Sequence, residues 1–248
     1  MARKHVYILG VKVHSTSIDE VLMLFKPGHD EKGIFIATPN PEIILAAQKD
    51  KKLLKALNSA DLCIADGVGL KLYGLSVIKG RKLMIELFNL AQNYKKRVFL
   101  LGSTPKTISK SLKKFKEAYP NAIVAGFAGP LLDNQALPVS ESDRKLNLEA
   151  LDKINKFKPD LLFVALGHPK QEKWVYKNLP KLDVGCVMVV GGALDYYAGV
   201  VPKVPSLFEN LGLEWLWRVI NDPSRLGRIL NATVVFPLMV LKEKLGLA

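Results

Sequence analysis

The sequence predicts an α/β protein with a mostly parallel sheet and helices on both faces. Three observations carry that prediction. Short runs that are apolar throughout recur along the chain, segments with apolar residues at helical spacing separate them, and Gly, Pro and Asn stand where one kind gives way to the other. A strand buried on both faces has no polar side to show, so its sequence is a continuous hydrophobic run rather than an alternation.

Val6–Val11 and Gly33–Thr38 are the first strand-like runs, and Pro41–Ser59 follows with Ile43, Ile44, Ala47, Leu54 and Leu57 at helical spacing. Leu62–Ala65 is a further buried strand. Arg97–Gly102 ends in Gly-Ser-Thr-Pro and leads into the Lys-rich helix Lys106–Ala118 and then the strand Ala122–Gly126. The pattern returns as helix Leu148–Phe157, strand Asp160–Gly167, helix Lys170–Asn178 and strand Val184–Gly191. Ala128–Lys145, with Gly, Pro and polar residues and little periodicity, is expected to be a surface loop. After Gly199 two prolines precede a helical, aromatic, Arg-bearing tail. The expected organisation is a Rossmann-like catalytic domain over residues 1–199 and a helical C-terminal appendage over 200–248.

A chain of 248 residues with 49% hydrophobic content can bury a large core. Its formal charge of +13 calls for an anionic partner: nucleic acid, an anionic membrane surface or a phosphorylated substrate. Cys63 and Cys186 both lie in apolar runs and are expected to be buried strand thiols in a reducing compartment. No basic segment followed by an apolar one opens the chain, so a cytoplasmic location is expected. The longest uncharged run, Ile229–Leu241, is too short, and too interrupted by Asn231 and Pro237, to span a bilayer core of about 30 Å.

Ligands of parallel α/β sheets bind beyond the carboxyl ends of the strands. The residues there are Thr38-Pro39-Asn40-Pro41-Glu42, Asp66-Gly67-Val68-Gly69, Gly102-Ser103-Thr104, Gly167-His168-Pro169-Lys170-Gln171-Glu172 and Gly191-Gly192-Ala193-Leu194-Asp195, and all should gather on one rim. Asp66 follows a buried strand and precedes glycine. Its carboxylate suits either a general base or a helix cap. Thr38 and Asn40 bring a hydroxyl and an amide, with capping as the alternative use. The turn at Gly102 offers free backbone N–H groups to a diphosphate, although the full Gly-rich fingerprints of nucleotide-binding loops are absent. His168 has a base's chemistry, but a lone His before Pro is more often incidental. There is no Asp-x-Asp, no His pair at metal-ligand spacing and no Cys-x-x-Cys, so neither a tightly held metal nor a cofactor is expected.

In the tail, Gly212-Leu213-Glu214-Trp215-Leu216-Trp217-Arg218 joins two indoles to a charge, and Arg225 and Arg228 share a helix face after Asp222-Pro223. Arginine suits phosphate, and a helix carrying aromatic and basic residues suits a membrane interface. The apolar residues around Leu207–Trp217 also offer a surface on which subunits can pair.

Together and in this order, these motifs resemble the WecG/TagA/CpsF family of bacterial glycosyltransferases from about Gly10 to Leu230. The resemblance implies an inverting, metal-independent transfer of an N-acetylmannosamine-type sugar from UDP to undecaprenyl-diphosphate-linked N-acetylglucosamine (GlcNAc) in teichoic acid or related glycan assembly. On that likeness Asp66 is the base. Thr38, Asn40 and Gln171 line the donor pocket on the same likeness, and the strand-end residues Gly67, Gly102 and Asp195 are assigned to it from their place on the rim. Arg218, Arg225 and Arg228 meet diphosphate charge, and the appendage brings the enzyme peripherally to the inner face of the cell membrane. Two departures stand out. Where relatives usually read Arg-Val-x-Gly-x-Asp-Leu, this chain has Val77-Ile78-Lys79-Gly80-Arg81-Lys82-Leu83, and Lys203-Val204-Pro205 stands where Arg-Ala-Pro is common. A non-catalytic nucleotide- or nucleic-acid-binding module is the rival reading. No helix-turn-helix, RNA-recognition or zinc-finger signature supports it.

Overall fold

The computed structural model describes residues 4–28, 32–202, 204–205, 208, 214–221, 223 and 226–246, with the side chains of Val68, Leu72, Glu214, Trp215, Arg218, Asn221 and Arg228 outside the description. An antiparallel hairpin, β1 (His5–Ile8) and β2 (Val11–His14), opens the chain, and α1 (Ile18–Met23) follows. The alternating part comprises β3 (Ile34–Ala37), α2 (Pro41–Lys49), α3 (Lys51–Asn58), β4 (Leu62–Cys63), a 3-10 turn at Val68–Tyr73, α4 (Gly80–Asn93), β5 (Arg97–Gly102), α5 (Pro105–Ala118) and β6 (Ile123–Phe127). It continues through α6 (Glu141–Phe157), β7 (Leu161–Ala165), α7 (Lys170–Asn178), β8 (Cys186–Val189) and α8 (Ala193–Ala198). The tail holds α9 (Glu214–Asn221), α10 (Leu226–Leu230), a π-helical turn at Asn231–Val235 and α11 (Phe236–Lys244).

Six strands form one sheet in the order β4-β3-β8-β7-β5-β6, and each pairing between neighbours is parallel. Alternate residues of each strand enter opposite cores. Phe35 and Ala37 face α2, α3, α6, α7 and α11, where Ile44, Leu57, Ile154, Trp174 and Phe236 are buried. Ile34 and Ile36 face α1, α4, α5 and α8, where Val21, Leu87, Phe115 and Leu194 are buried. Both faces are thus covered, which is why the strands read as unbroken apolar runs. Cys63 and Cys186 are buried strand residues, as expected.

The structure departs from the expected elements in four places. Val6–Val11 is not one strand but a hairpin turning at Leu9 and Gly10, both at positive φ, as a tight two-residue hairpin turn requires. Pro41–Ser59 is two helices. Asp50 breaks it by turning extended and accepting hydrogen bonds from the N–H groups of Lys52 and Leu53, so it caps the second helix. The loop after β6 ends at Ser140, not Lys145, because Ser140 accepts from Asp143 N–H and starts α6 about two turns before the expected Leu148. Finally, α1, α4 and α8 appear where no helix was expected. The core side of α4 is Leu83, Met84, Leu87, Phe88 and Ala91, a helical spacing that was there to be read.

The end of the tail is part of the folded body. Phe236 and Val240 are buried against the first core, Tyr73 meets the Phe236 ring edge-on at 5.8 Å, and Glu243 Oε2 accepts from Leu9 N–H at 3.0 Å. The opposite side of the same segment leaves Leu226, Leu230, Val234, Leu238, Leu241 and Leu245 exposed, at spacings of three or four residues.

Candidate active site

A parallel sheet places every strand's carboxyl end on one edge, so the five strand-end motifs share a rim as expected. β5 leads outward to β6 while its neighbour β7 leads inward to β8, so the strand order reverses between β5 and β7, the place where sheets of this kind bind their ligands. The two strands meet very closely there. Gly102 has φ +107, and a Cβ on it would sit 2.5 Å from both the carbonyl carbon and oxygen of Ala165. Glycine alone fits.

The first cluster joins Asp66, Thr38 and Gly80. Ile78 N–H bonds to Ala65 O at 3.0 Å and Asp66 N–H to Pro39 O at 3.0 Å, which docks the start of α4 and the end of β3 against the end of β4. Asp66 Oδ2 then accepts from Gly80 N–H at 3.3 Å. A Cβ on Gly80 would lie 3.1 Å from Thr38 Oγ1 and 3.4 Å from Asp66 Oδ2, so hydroxyl and carboxylate flank one point. The N-terminus of α4 favours an anion there, and Lys79 gives it no side-chain cap. Asp66 is therefore not the cap of the turn that follows it in sequence, where Gly67 holds that position. Asn40 does cap: its Oδ1 accepts from Ile43 N–H at 2.9 Å, which leaves its amide NH2 as the donor side. Gly67 packs on this cap, its Cβ direction 3.5 Å from Pro41 Cδ and 3.7 Å from Asn40 Cβ.

A second cluster surrounds Asp195. Its Oδ1 accepts from Ser103 Oγ at 2.6 Å and from Thr107 Oγ1 at 3.0 Å. The rings of Phe88, Phe115 and Tyr197 hold α8 in place for this, Phe115 stacking on each of the other two with centroids 3.8 Å apart. Thr107 was not among the expected site residues, although it shares a buried helical stripe with Ile108, Ser111 and Phe115 on an otherwise Lys-rich helix.

Gln171 ties two strand-end turns together. It is buried, with Oε1 accepting from Gly191 N–H at 3.1 Å and Nε2 donating to Glu172 Oε1 at 3.0 Å. Glu172 is buried too, and its other oxygen lies 3.2 Å from His168 Nδ1. These side chains lock the turn after β7 to the turn after β8. Lys173 is also buried, pairing with Asp50 and donating to Asn134 O at 2.6 Å, while Trp174 Nε1 donates to Asn147 Oδ1 at 2.8 Å. The Lys170–Trp174 stretch thus fastens the β6–α6 loop to the body.

Arg81, also not among the expected residues, begins α4 beside Gly80. Its guanidinium carbon stands 4.7 Å from the centre of the Tyr196 ring. Arg225 and Lys203 lie outside the described residues, as does most of Leu207–Trp217. Arg218 and Arg228 fall in α9 and α10 with their side chains undescribed. Among the described residues no three His, Cys, Asp or Glu side chains are grouped to hold a metal ion, and no helix is long and apolar enough to cross a membrane.

A doubly wound sheet with a carboxylate and hydroxyls at its carboxyl edge defines an α/β protein of the kind that binds its ligands at that edge. Residues 6–248 match the family described as glycosyl transferase WecG/TagA/CpsF, and the chain belongs to that family of glycosyltransferases. An N-acetylglucosaminyldiphosphoundecaprenol N-acetyl-beta-D-mannosaminyltransferase of Bacillus spizizenii is 33% identical over 207 residues, covering 81% of this chain and 76% of the relative. A protein of the same name from Staphylococcus aureus is 30% identical over 248 residues, covering 96% and 92%.

Proposed function

We propose that this glycosyltransferase moves an N-acetylmannosamine-type sugar, or a related N-acetylhexosamine, from UDP to undecaprenyl-diphosphate-linked GlcNAc, with inversion. The product would enter teichoic acid or a related surface glycan. The names of its relatives support the acceptor and the sugar. The observation that carries the mechanism is the Asp66 carboxylate, held by Gly80 N–H next to Thr38 at the strand-end rim.

In this reading the acceptor hydroxyl gives its proton to Asp66 as its oxygen bonds to the anomeric carbon. The bond from that carbon to the diphosphate oxygen breaks, and its electron pair leaves with UDP. Thr38 and Asn40 line the sugar end of the donor, with Gly67 keeping the wall low. Gly102 and Asp195 serve the nucleotide end, and Gln171 acts through Gly191 by fixing the turn after β8. No metal is required: backbone N–H groups and Arg218, Arg225 and Arg228 would meet the charge that develops on the diphosphate.

The exposed apolar row from Leu226 to Leu245 supports peripheral contact with the membrane that holds a lipid-linked acceptor. The direct test is UDP release from a panel of UDP-N-acetylhexosamines, with and without lipid-diphosphate GlcNAc, in EDTA. Acceptor-dependent release with one donor is the expected result. Absence of release with every donor would overturn the reading.

A further inference from the structure

We propose that His168 is a specificity residue for the nucleotide, its Nε2 accepting a hydrogen bond from a ribose hydroxyl; this rests on the nucleotide-sugar reading above. Two observations carry it. The first is an imidazole with a fixed orientation. Glu172 is 1% exposed, its Oε1 is taken by the Gln171 amide at 3.0 Å, and its Oε2 lies 3.2 Å from His168 Nδ1. A carboxylate only accepts, so Nδ1 carries the hydrogen of the neutral ring and Nε2 is left with a lone pair. The second is that Nε2 is shielded from solvent and has no hydrogen-bond partner among the described residues. A buried acceptor without a donor is costly in a folded chain, and a bound ligand that brings an O–H removes that cost. The side chain as a whole keeps 27% of its surface exposed, so a small rotation, of the kind common on binding, brings Nε2 to a ligand on the rim.

Its place in the fold names the ligand group. β7 lies between β8 and β5. Ser103 N–H bonds to Ala165 O at 2.9 Å, and a Cβ on Gly102 would stand 3.0 Å from Leu166 N, so the turn that carries His168 abuts the turn that carries Ser103. Ser103 in turn holds Asp195. Gln171, bonded to Gly191 N–H, ties the other side of the same turn to the end of β8. His168 therefore belongs to the nucleotide end of the rim, three strand spacings, or about 14 Å, from the end of β4 that leads to Asp66. With the anomeric carbon at Asp66, that distance carries a nucleoside diphosphate sugar past its diphosphate to the ribose. The diphosphate oxygens bring only lone pairs, which Nε2 cannot use, whereas each ribose hydroxyl has a hydrogen to give.

The test is calorimetric titration of the full chain with UDP, 2′-deoxy-UDP and 3′-deoxy-UDP, on wild type, His168→Asn and His168→Gln, with thermal midpoints measured alongside. Asparagine puts an amide where Nδ1 was and keeps a donor for Glu172, while glutamine puts an amide oxygen near the place of Nε2. In wild type one deoxy analogue should bind about three- to tenfold more weakly than UDP. His168→Asn should weaken UDP by the same factor and leave that analogue unchanged, so the discrimination vanishes, and His168→Gln should keep part of it. Equal affinity of wild type for all three, or a folded His168→Asn that discriminates in full, overturns the assignment and leaves the donor reading standing. A wild type that binds none of the three overturns both. Should the variants fail to fold, nitrogen NMR of the wild-type histidines at pH 8 decides. His168 with its hydrogen on Nδ1, and an Nε2 signal that UDP moves further than the weaker deoxy analogue does, supports the assignment; a hydrogen on Nε2, or a signal that bound UDP leaves in place, overturns it.

Discussion

The Ser103 hydroxyl donates to Asp195 Oδ1 across 2.6 Å, tying the turn after β5 to the helix after β8. Removing that donor in Ser103→Ala takes away one of the two hydroxyls that aim the carboxylate. A hydrogen bond to a charged group contributes about 1.5–3 kcal/mol. The expected result is a rise of about tenfold or more in the KM for the donor, with kcat changed much less. A fall in kcat at unchanged KM would place Asp195 in the chemistry instead.

Asp66→Asn keeps the shape of the side chain and an oxygen to accept Gly80 N–H, so the protein should fold with an unchanged melting temperature. Turnover should drop about 10²–10⁴-fold, the range for loss of a general base. Near-normal activity in a folded variant would remove Asp66 from that role.

Lys173→Met leaves Asp50 without its ammonium and Asn134 O without its donor. Breaking one side of a buried pair should destabilise the fold by about 3 kcal/mol, read by denaturant unfolding. Burial of Asp50 opposes its ionisation, but the Lys173 ammonium and the Leu53 and Lys52 N–H groups outweigh it and hold the carboxyl below its ordinary value. Its contribution is therefore fully present above about pH 4 and is lost as pH falls through the lowered value. In Lys173→Met that acid-side loss should shrink; an unchanged pH profile of stability would argue against the pair.

The exposed row on α10 and α11 can be tested without touching the core. Leu230→Ser with Leu238→Ser should leave the melting temperature unchanged and reduce sedimentation with anionic vesicles several-fold. Undiminished sedimentation would shift membrane contact elsewhere. Cutting the chain after Gly199 is a poorer test, because it also removes Phe236 and Val240 from the core.

Burial pushes the Cys63 thiol up to about 12, and it raises the Cys186 thiol as well. At pH 8 neither should react with a thiol reagent until the protein is unfolded. Fast labelling of the native protein would mean that the strand ends open readily.

The sheet, its two covered faces and the shared rim were legible because hydrophobic periodicity and strand-end glycines are local signals. Asp66 and Asn40 could be placed, but not their partners. The group that orients Asp66 is the N–H of Gly80, fourteen residues later, and no local pattern announces it. Gln171 and Glu172 read as polar residues opening a helix, with Gln171 drawn to the donor pocket by the resemblance alone. Only the packing of α7 shows that they are buried and bonded to Gly191 and His168. The break at Asp50 was hidden because the apolar spacing runs on through it, while the cap that interrupts the helix depends on one carboxylate.

The bond between Glu243 and Leu9 joins residues 234 apart in sequence. During translation the hairpin turn leaves the ribosome first, and one face of the first core waits uncovered until Phe236, Val240 and Glu243 emerge. The last turns of helix complete the body only after the 234 residues that separate Glu243 from Leu9 have been made. Late closure of this kind lengthens the time that apolar surface is open to chaperones and to neighbouring nascent chains.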